Sequence, residues 1–278
     1  MDMSLSTAAF AQIRQHVYDT AGIIINANKS AMVVSRLWRR VEALDMASLD
    51  AYVAFVVSTE GAVERARMLD LLTTNETYFF REPAHFTRLR NQIIPALERR
   101  PLRVWCAAAS SGEEPYSIAM VLADVLGYDN WTLMATDIST RVLEQARRGL
   151  YRMQRLEQMP PDYLRRFCRR GVDEFDGKMV IDNELRQRVQ FRQHNLLKPL
   201  AGEAPFDIIF LRNVLIYFDQ PTKRRVIQHL LRNLRPQGWL IVGHCESLHG
   251  TGLPVTQISP SIYRYCVGCG AGREKMPA

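Results

Sequence analysis

The apolar positions of roughly the first eighty residues recur every three or four places, the spacing of one face of an α-helix. Two stripes are clearest: Phe10, Ile13, Val17 and Tyr18, then Val33, Leu37, Val41 and Leu44. No alternating, strand-like pattern interrupts them. The pattern predicts an all-helical N-terminal domain that, with its linker, covers residues 1–85.

From residue 101 short apolar runs alternate with amphipathic segments. The runs predict strands at 102–107, 131–136, 206–211, 239–243 and 262–267, and the segments predict helices at 115–126, 139–148 and 221–234. Such alternation favours an α/β domain over residues 86–278, with a mostly parallel sheet covered by helices on both faces. Ligands of these sheets bind at the carboxyl ends of the strands.

Residues 171–193 break this rhythm. The turn signal Asp176-Gly177 precedes apolar runs at 179–181 and 189–191, which predicts a small antiparallel insert. The Gly-rich end, residues 268–278, is expected to be disordered. Cys266 and Cys269 have a metal-type spacing there, but no second Cys or His pair lies near them, so a frayed tail is favoured over a zinc or redox site.

Composition narrows the class of protein. The 278 residues are 47% hydrophobic and 23% charged, near globular averages, and no apolar run approaches the roughly 18 residues that span a bilayer. Five cysteines, an odd number, do not suggest a disulfide framework. We therefore expect a soluble, cytoplasmic protein.

The net charge of +7 is concentrated in residues 141–170, where nine arginines stand against three acidic residues. Such a segment suits nucleic acid, a membrane surface or an acidic protein, and charge alone does not choose among them. On the second predicted helix, Lys29, Arg36 and Arg40 fall within about 40° of one another. They form either a partner-binding stripe or the solvated flank of a packed helix.

The loop after the first strand is built from small residues at 107–112, which let a ligand approach the backbone. It has one glycine and is followed by Glu113 and Glu114, so it lacks the glycine pattern of a dinucleotide site and repels phosphate. Asp137 follows the second strand, where an acidic residue binds ribose in Rossmann-like folds. Helix capping is the alternative for these carboxylates. Together they describe a nucleoside without a pyrophosphate, such as S-adenosylmethionine.

Six segments then occur in order: TNETYFFRE at 74–82, AAASSGEEPYS at 107–117, TDI at 136–138, HNLL at 194–197, FLRNVLIYF at 210–218 and GHCES at 243–247. Together they resemble the motif set of the CheR-type chemotaxis receptor glutamate O-methyltransferases, over about residues 8–266. The resemblance implies a Rossmann-like S-adenosylmethionine-dependent methyltransferase with an N-terminal helical domain and a small antiparallel β-subdomain. It implies γ-methyl esterification of glutamates on the cytoplasmic helices of methyl-accepting chemoreceptors during chemotaxis adaptation, with S-adenosylhomocysteine as product.

The resemblance also implies roles for particular residues. The expected cofactor contacts are Asn75, Thr77, Arg81, Glu114, Asp137, Asn195, Leu196, Arg212 and Asn213. Arg81 would pair the methionyl carboxylate and Tyr217 would stand beside the transferred methyl, so these two are expected to act in catalysis. The 171–193 insert stands where some members dock the C-terminal peptide of a receptor, with a purely structural hairpin as the alternative.

A glutamate nucleophile is already ionised at neutral pH, so no general base is required. The six histidines are scattered, and we expect no metal, no nucleic-acid partner, no membrane insertion and a monomer. Cys245 is interpreted as a buried hydrophobic residue. Two other functions stay open: a nucleic-acid methyltransferase, suggested by the basic segment, and a non-catalytic S-adenosylmethionine sensor.

Overall fold

The computed structural model describes residues 4–266, and its contacts divide the chain into two units. One unit runs to Asn75 and includes Tyr217–Asp219; the other holds Glu76–Ile216 and continues from Gln220. The expected boundary at residue 85 therefore lies at Asn75. The difference arises because Phe79 and Phe80 are buried in the core of the second unit.

The first unit is helical, as predicted. Its helices are α1 (Thr7–Ala21), α2 (Ser30–Ala43), α3 (Leu49–Val57) and α4 (Ala62–Leu72). Both apolar stripes face its interior: Phe10, Ile13, Val17, Val33, Leu37 and Val41 are all buried, whereas Tyr18 is 36% exposed. The Ser6 hydroxyl accepts the Ala9 N–H at the start of α1, an N-cap that fixes where this helix begins.

The second unit contains α5 (Pro83–Arg88), β1 (Leu102–Ala107), α6 (Glu113–Leu126), β2 (Trp131–Asp137), α7 (Thr140–Arg148), β3 (Leu150–Arg152), α8 (Pro161–Phe167), β4 (Cys168–Arg170), β5 (Lys178–Ile181), α9 (Asn183–Gln187), β6 (Val189–Gln193), β7 (Phe206–Leu211), α10 (Gln220–Arg232), β8 (Leu234–Val242), β9 (Val255–Ser259) and β10 (Ile262–Tyr265). Its main sheet has the order β6-β2-β1-β7-β8-β10-β9. The first five of these strands are parallel, and β10 runs antiparallel between β8 and β9. The predicted α/β fold is confirmed.

The register of the central strands brings three loops to one edge of the sheet. Ala107, the last residue of β1, pairs with Thr136 of β2 and with Leu211 of β7. The segments that follow these strands therefore emerge side by side at the carboxyl edge, the expected ligand-binding edge.

A second, three-stranded antiparallel sheet has the order β3-β5-β4. The small insert was predicted correctly in kind, but its bounds of 171–193 are wrong. Its strands lie between residues 150 and 181, and Val189–Gln193 is β6, which pairs parallel with β2 in the main sheet. Only Val189 of β6 is buried, so the local pattern of this edge strand resembles that of an exposed hairpin strand.

The expectations for residues 268–278 and for Cys269 lie outside the described residues. Among residues 4–266, no helix is long and apolar enough to cross a membrane.

Candidate active site

The loop between β1 and α6 lies against the end of β2. Ala108, Ser110 and Gly112 all have positive φ, and the Ser110 N–H donates to Asp137 Oδ2 at 2.8 Å. A Cβ at Gly112 would come within 2.7 Å of Tyr151 Oη, so a larger residue does not fit there. The loop is therefore held in a fixed, strained conformation with its small side chains at the ligand edge.

Asp137 joins two loops at this edge. Besides the Ser110 N–H, its carboxylate accepts the Ser139 N–H at 3.0 Å. The N-cap of α7 is Ser139, whose hydroxyl accepts the Val142 N–H. Asp137 is therefore not the cap of this helix, and it remains where a ribose-binding acid stands in related folds.

The adjacent carboxylates Glu113 and Glu114 have different partners, because successive residues on a helix point about 100° apart. Glu113 is fully buried and accepts hydrogen bonds from the Ser111 hydroxyl (2.6 Å) and Arg155 Nη1 (2.8 Å). Glu114 accepts from Arg212 Nη1 at 2.5 Å and from Cys106 Sγ at 3.3 Å. Of the two, Glu114 is the one that contacts Arg212, directly after β7.

Arg212 lies at the centre of a buried charge cluster, defined by Glu82, Glu114 and Arg212. Its guanidinium is fully buried and contacts Glu114, Glu82 (Nη2 to Oε2, 3.1 Å) and the carbonyl oxygen of Arg81. Burial raises the pKa of Glu114, although Arg212 opposes this. For Glu82, burial also favours the neutral form, but Arg212, Asn213 and the His244 N–H lower its pKa overall.

Two carboxylates against one guanidinium leave the buried charge cluster with one uncompensated negative charge when both acids are ionised. A cation bound beside it would balance that charge. This observation fits S-adenosylmethionine, which carries a sulfonium and an ammonium, and it agrees with the phosphate-repelling loop.

The segment after β7 is fixed by a residue that the sequence did not single out. Glu246 is buried, and its carboxylate accepts three backbone N–H groups: Asn213 (2.9 Å), Leu215 (2.7 Å) and Gly243 (2.7 Å). Asn213 has a φ of 56°, so this carboxylate stabilises a left-handed turn directly after Arg212. The only sequence signal was the membership of Glu246 in the GHCES motif.

The structure brings most of the expected cofactor residues of the second unit to the carboxyl edge. Glu114 lies on α6 after β1, Asp137 is the last residue of β2, Arg212 and Asn213 follow β7, and Asn195 with Leu196 follow β6. The His194 N–H donates to the Asp137 carbonyl oxygen at 2.9 Å, which joins the ends of β2 and β6.

Four expected site residues lie in other segments of the chain. Arg81 and Thr77 belong to the segment that opens the second unit, where Arg81 Nη1 donates to the Glu76 carbonyl oxygen at 3.1 Å. Asn75 ends the first unit, and Tyr217 also clusters with that unit. There the Ile24 N–H donates to the Tyr217 carbonyl oxygen.

Glu82, His85 and His244 have potential metal-ligand atoms within 4.8 Å of one another, the only such group found among the described residues. The Glu82 carboxylate, however, accepts from Arg212, Asn213 and the His244 N–H. Burial lowers the pKa of His85 to about 3, with Arg212 adding to the effect. The same guanidinium would repel a metal ion. Cys245, which follows His244, is exposed, so its interpretation as a buried residue is wrong.

The basic stripe of the helical unit is largely engaged within that unit. Arg36 Nη1 donates to the carbonyl oxygens of Leu72 (2.9 Å) and Thr73 (3.1 Å) at the end of α4. Arg40 forms a two-point ion pair with Glu64, which is buried. Lys29 ends a 3-10 turn (Ala27–Lys29) and is exposed.

Comparison with known proteins identifies the family. The model described as "CheR methyltransferase, SAM binding domain" matches residues 75–264, and "CheR methyltransferase, all-alpha domain" matches residues 8–73. The chain belongs to the CheR methyltransferase family. The two CheR matches meet where the contacts divide the chain, at Asn75.

Named relatives agree with the CheR assignment. Chemotaxis protein methyltransferase 2 of Pseudomonas aeruginosa is 43% identical over 260 residues, covering 91% of each chain. The chemotaxis protein methyltransferase of Escherichia coli is 42% identical, covering 88% of this chain and 86% of its own. Among solved structures, the glycopeptide N-methyltransferase MtfA is 17% identical, with a TM-score of 0.36, covering 58% of this chain and 55% of that chain.

Family membership confirms the resemblance, the methyltransferase fold with its helical domain, and S-adenosylmethionine as cofactor. The structure confirms the small antiparallel sheet. It also supports a role in chemotaxis.

Proposed function

We propose that this CheR family member methylates glutamate side chains on chemoreceptors, forming γ-methyl esters in chemotaxis adaptation. The observation that best supports the proposal is that two carboxylates face one guanidinium in the buried charge cluster, which leaves a net negative charge when both are ionised and so suits the cationic cofactor. The relatives named chemotaxis protein methyltransferases support the pathway.

The carboxylates of the site accept hydrogen bonds or form ion pairs, and none of them is needed as a general base. Glu82 and Glu114 bind Arg212, and Asp137 accepts two backbone N–H groups. A glutamate substrate, with a reference pKa of about 4.3, is ionised without help. S-adenosylmethionine supplies an electrophilic methyl group when bound. The protein's contribution is then to align the carboxylate with that methyl and to exclude water.

We assign roles to residues on the family resemblance. Arg81 would hold the methionyl carboxylate and Tyr217 would stand beside the methyl. Glu114 would face the methionyl ammonium and Asp137 the ribose. The remaining cofactor contacts would be Asn75, Thr77, Asn195, Leu196, Arg212 and Asn213.

The decisive experiment incubates the full chain with methyl-labelled cofactor and the cytoplasmic fragment of a chemoreceptor. We expect base-labile label on the fragment, and none when the acceptor glutamates are replaced by glutamine. Cofactor binding without transfer would instead favour a sensor. Transfer to RNA or DNA alone would favour a nucleic-acid methyltransferase.

Substitutions test the site assignment separately. Arg81→Ala and Asp137→Ala should weaken cofactor binding, measured by titration calorimetry, whereas Arg141→Ala on the exposed surface should not. Unchanged affinity in both site variants would refute the assignment. Tyr217→Phe should lower turnover more than cofactor affinity.

We also propose two surfaces that bind the receptor. Lys29, Arg36 and Arg40 would meet acidic receptor helices, with Lys29 the exposed member of the three. In the small sheet, β4 is an edge strand, and an extended receptor C-terminal peptide could add to that edge. Titration with receptor tail peptides tests the second surface. Sedimentation of the free protein tests the expected monomer.

A further inference from the structure

More than half of the arginines of segment 141–170 have a carboxylate partner within the second unit. Five of its nine arginines form ion pairs with carboxylates: Arg155, Arg165, Arg166, Arg169 and Arg170. Arg147 donates to the carbonyl oxygen of Phe191. The segment is therefore not a uniform basic face, and within residues 4–266 its other arginines form no ion pair with a carboxylate.

Arg152 is one of these and lines a cavity of about 470 Å³ beside β3. Arg155 and Lys178 line the same cavity, and none of its lining residues is acidic. The full lining is Gln145, Leu150, Tyr151, Arg152, Gln154, Arg155 and Lys178. Its volume is in the range of small-molecule sites, and two glutamines add hydrogen-bonding groups to three cations.

The cavity touches the cofactor loop at two points. Tyr151 Oη donates to the Ser111 carbonyl oxygen at 2.8 Å, and Arg155 Nη1 pairs with Glu113 at 2.8 Å. Glu113 in turn accepts from the Ser111 hydroxyl at 2.6 Å. Arg155 thus stabilises a fully buried carboxylate that orders the loop in front of Glu114.

We propose that this cavity is a regulatory site for a small anion with two or more phosphate groups, and that its occupancy weakens cofactor binding. Arginine forks suit phosphate oxygens, and a compact ligand can contact all three cations. The bound anion would compete with Glu113 for the Arg155 guanidinium. The buried Glu113 carboxylate would then lose part of the positive charge that stabilises it. The loop that Glu113 orders would become less ordered. This site goes beyond the proposed methyl transfer and rests only on cofactor binding.

Pyrophosphate is the probe, and the full chain is titrated with S-adenosylhomocysteine by calorimetry. Saturating pyrophosphate, against sodium chloride of equal ionic strength, should raise the dissociation constant of S-adenosylhomocysteine by about fivefold or more. Linkage requires that S-adenosylhomocysteine raise the dissociation constant of pyrophosphate by the same factor.

Matched variants locate the effect. Arg152→Ala should abolish the pyrophosphate response while leaving the S-adenosylhomocysteine affinity measured without pyrophosphate unchanged. Arg141→Ala, which removes the same charge from the same segment outside the cavity lining, should behave like the wild type in both measurements.

Three outcomes would overturn the proposal. If pyrophosphate does not bind, the proposed site does not exist. If it binds without changing cofactor affinity, the site is not coupled to the cofactor. An equal response in Arg152→Ala would mean that pyrophosphate competes at the cofactor site itself. A response of the cavity to acidic peptides but not to pyrophosphate would make it a protein-docking surface. None of these results bears on methyl transfer to receptor, which is assayed separately.

Discussion

Glu114 shows how the charge of one side chain links the fold to cofactor binding. It is buried beside Arg212, and burial raises its pKa above the ordinary value of a glutamate. A cofactor cation favours the ionised form, so binding should release a proton wherever Glu114 is partly protonated in the free protein. Cofactor affinity should therefore fall as the pH is lowered from neutrality through this raised pKa.

The test is calorimetric titration of wild type and Glu114→Gln between pH 8 and pH 5. The variant should bind S-adenosylmethionine about tenfold more weakly at pH 8, a loss of about 1.4 kcal/mol, because Arg212 is then no longer outweighed by two carboxylates. Its affinity should depend less on pH. Glu144→Gln, at an exposed acid, is the control, and parallel pH profiles in all three proteins would contradict the role of Glu114.

For single residues, the sequence predicted their position in the fold better than it predicted their contacts. Glu114, Asp137 and Arg212 were identified from motifs and do lie at the carboxyl edge. The split between Glu113 and Glu114 was not foreseen, because it depends on Arg155 and Arg212, which are distant in sequence. Glu246 was missed for the same reason, since its three N–H partners belong to segments that only the folded sheet brings together.

The backbone conformation of the loop after β7 depends on Glu246. In Glu246→Gln one carboxylate oxygen becomes an NH₂ group, which faces a backbone N–H instead of accepting from it. Oε1 accepts the Leu215 N–H and Oε2 accepts those of Asn213 and Gly243, so either amide orientation loses at least one contact and places an NH₂ group against a backbone N–H. We expect the position of Arg212 and Asn213 to change and kcat/KM for methyl transfer to fall about tenfold or more.

Thermal unfolding of the same variant separates positioning from general loss of structure. Asp129→Asn, at a carboxylate that is 89% exposed, is the control for removing one negative charge. A Glu246→Gln protein that loses stability but keeps wild-type kcat and KM when folded would leave Glu246 with a structural role only.

The ion pair between Arg40 of α2 and Glu64 of α4 gives a second prediction. Burial alone would raise the pKa of Glu64, but the hydrogen bond from Arg40 and its charge lower it overall. Arg40→Ala leaves this buried carboxylate with only Tyr52 and the more distant Arg67. We expect the variant to lose about 2 kcal/mol of stability in urea unfolding at pH 7, less than a fully buried pair because Arg40 is partly exposed.

Arg39→Ala is the matched control, because Arg39 is an exposed arginine of the same helix. It should unfold within about 0.5 kcal/mol of the wild type. The contribution of the Arg40–Glu64 pair should shrink as the pH falls, since protonation of Glu64 removes it. Reduced receptor methylation in Arg40 variants therefore counts as a partner effect only after their stability has been compared with that of the wild type.

Element positions were predicted well where periodicity was strong, as in β1, β2, β7 and the helices of the first unit. The small insert was misplaced because two short segments with similar patterns join different sheets. Met179–Ile181 pairs antiparallel with β3 and β4, whereas Val189–Gln193 pairs parallel with β2. A strand's partner depends on long-range register, which a local alternation of polar and apolar residues does not contain.

The two CheR domain matches coincide with the two units into which the contacts divide the chain. We therefore expect ligand binding to affect these two units unequally. The SAM-binding domain match covers 75–264, within which the expected cofactor residues lie. S-adenosylhomocysteine at a hundred times its dissociation constant should stabilise the folded form of the binding unit by about 2.7 kcal/mol. Hydrogen exchange measured by mass spectrometry resolves where that stabilisation appears.

Peptides from the β1–α6 loop, the end of β2 and the segment after β7 should become protected, whereas those from α2 and α3 should exchange as before. Arg40→Ala provides the internal check, because it is expected to raise exchange in α2 and α4 without changing the protection that the ligand confers on the second unit. Equal protection of both units by S-adenosylhomocysteine would contradict the prediction, since it would mean that the helical unit opens only together with the cofactor-binding unit.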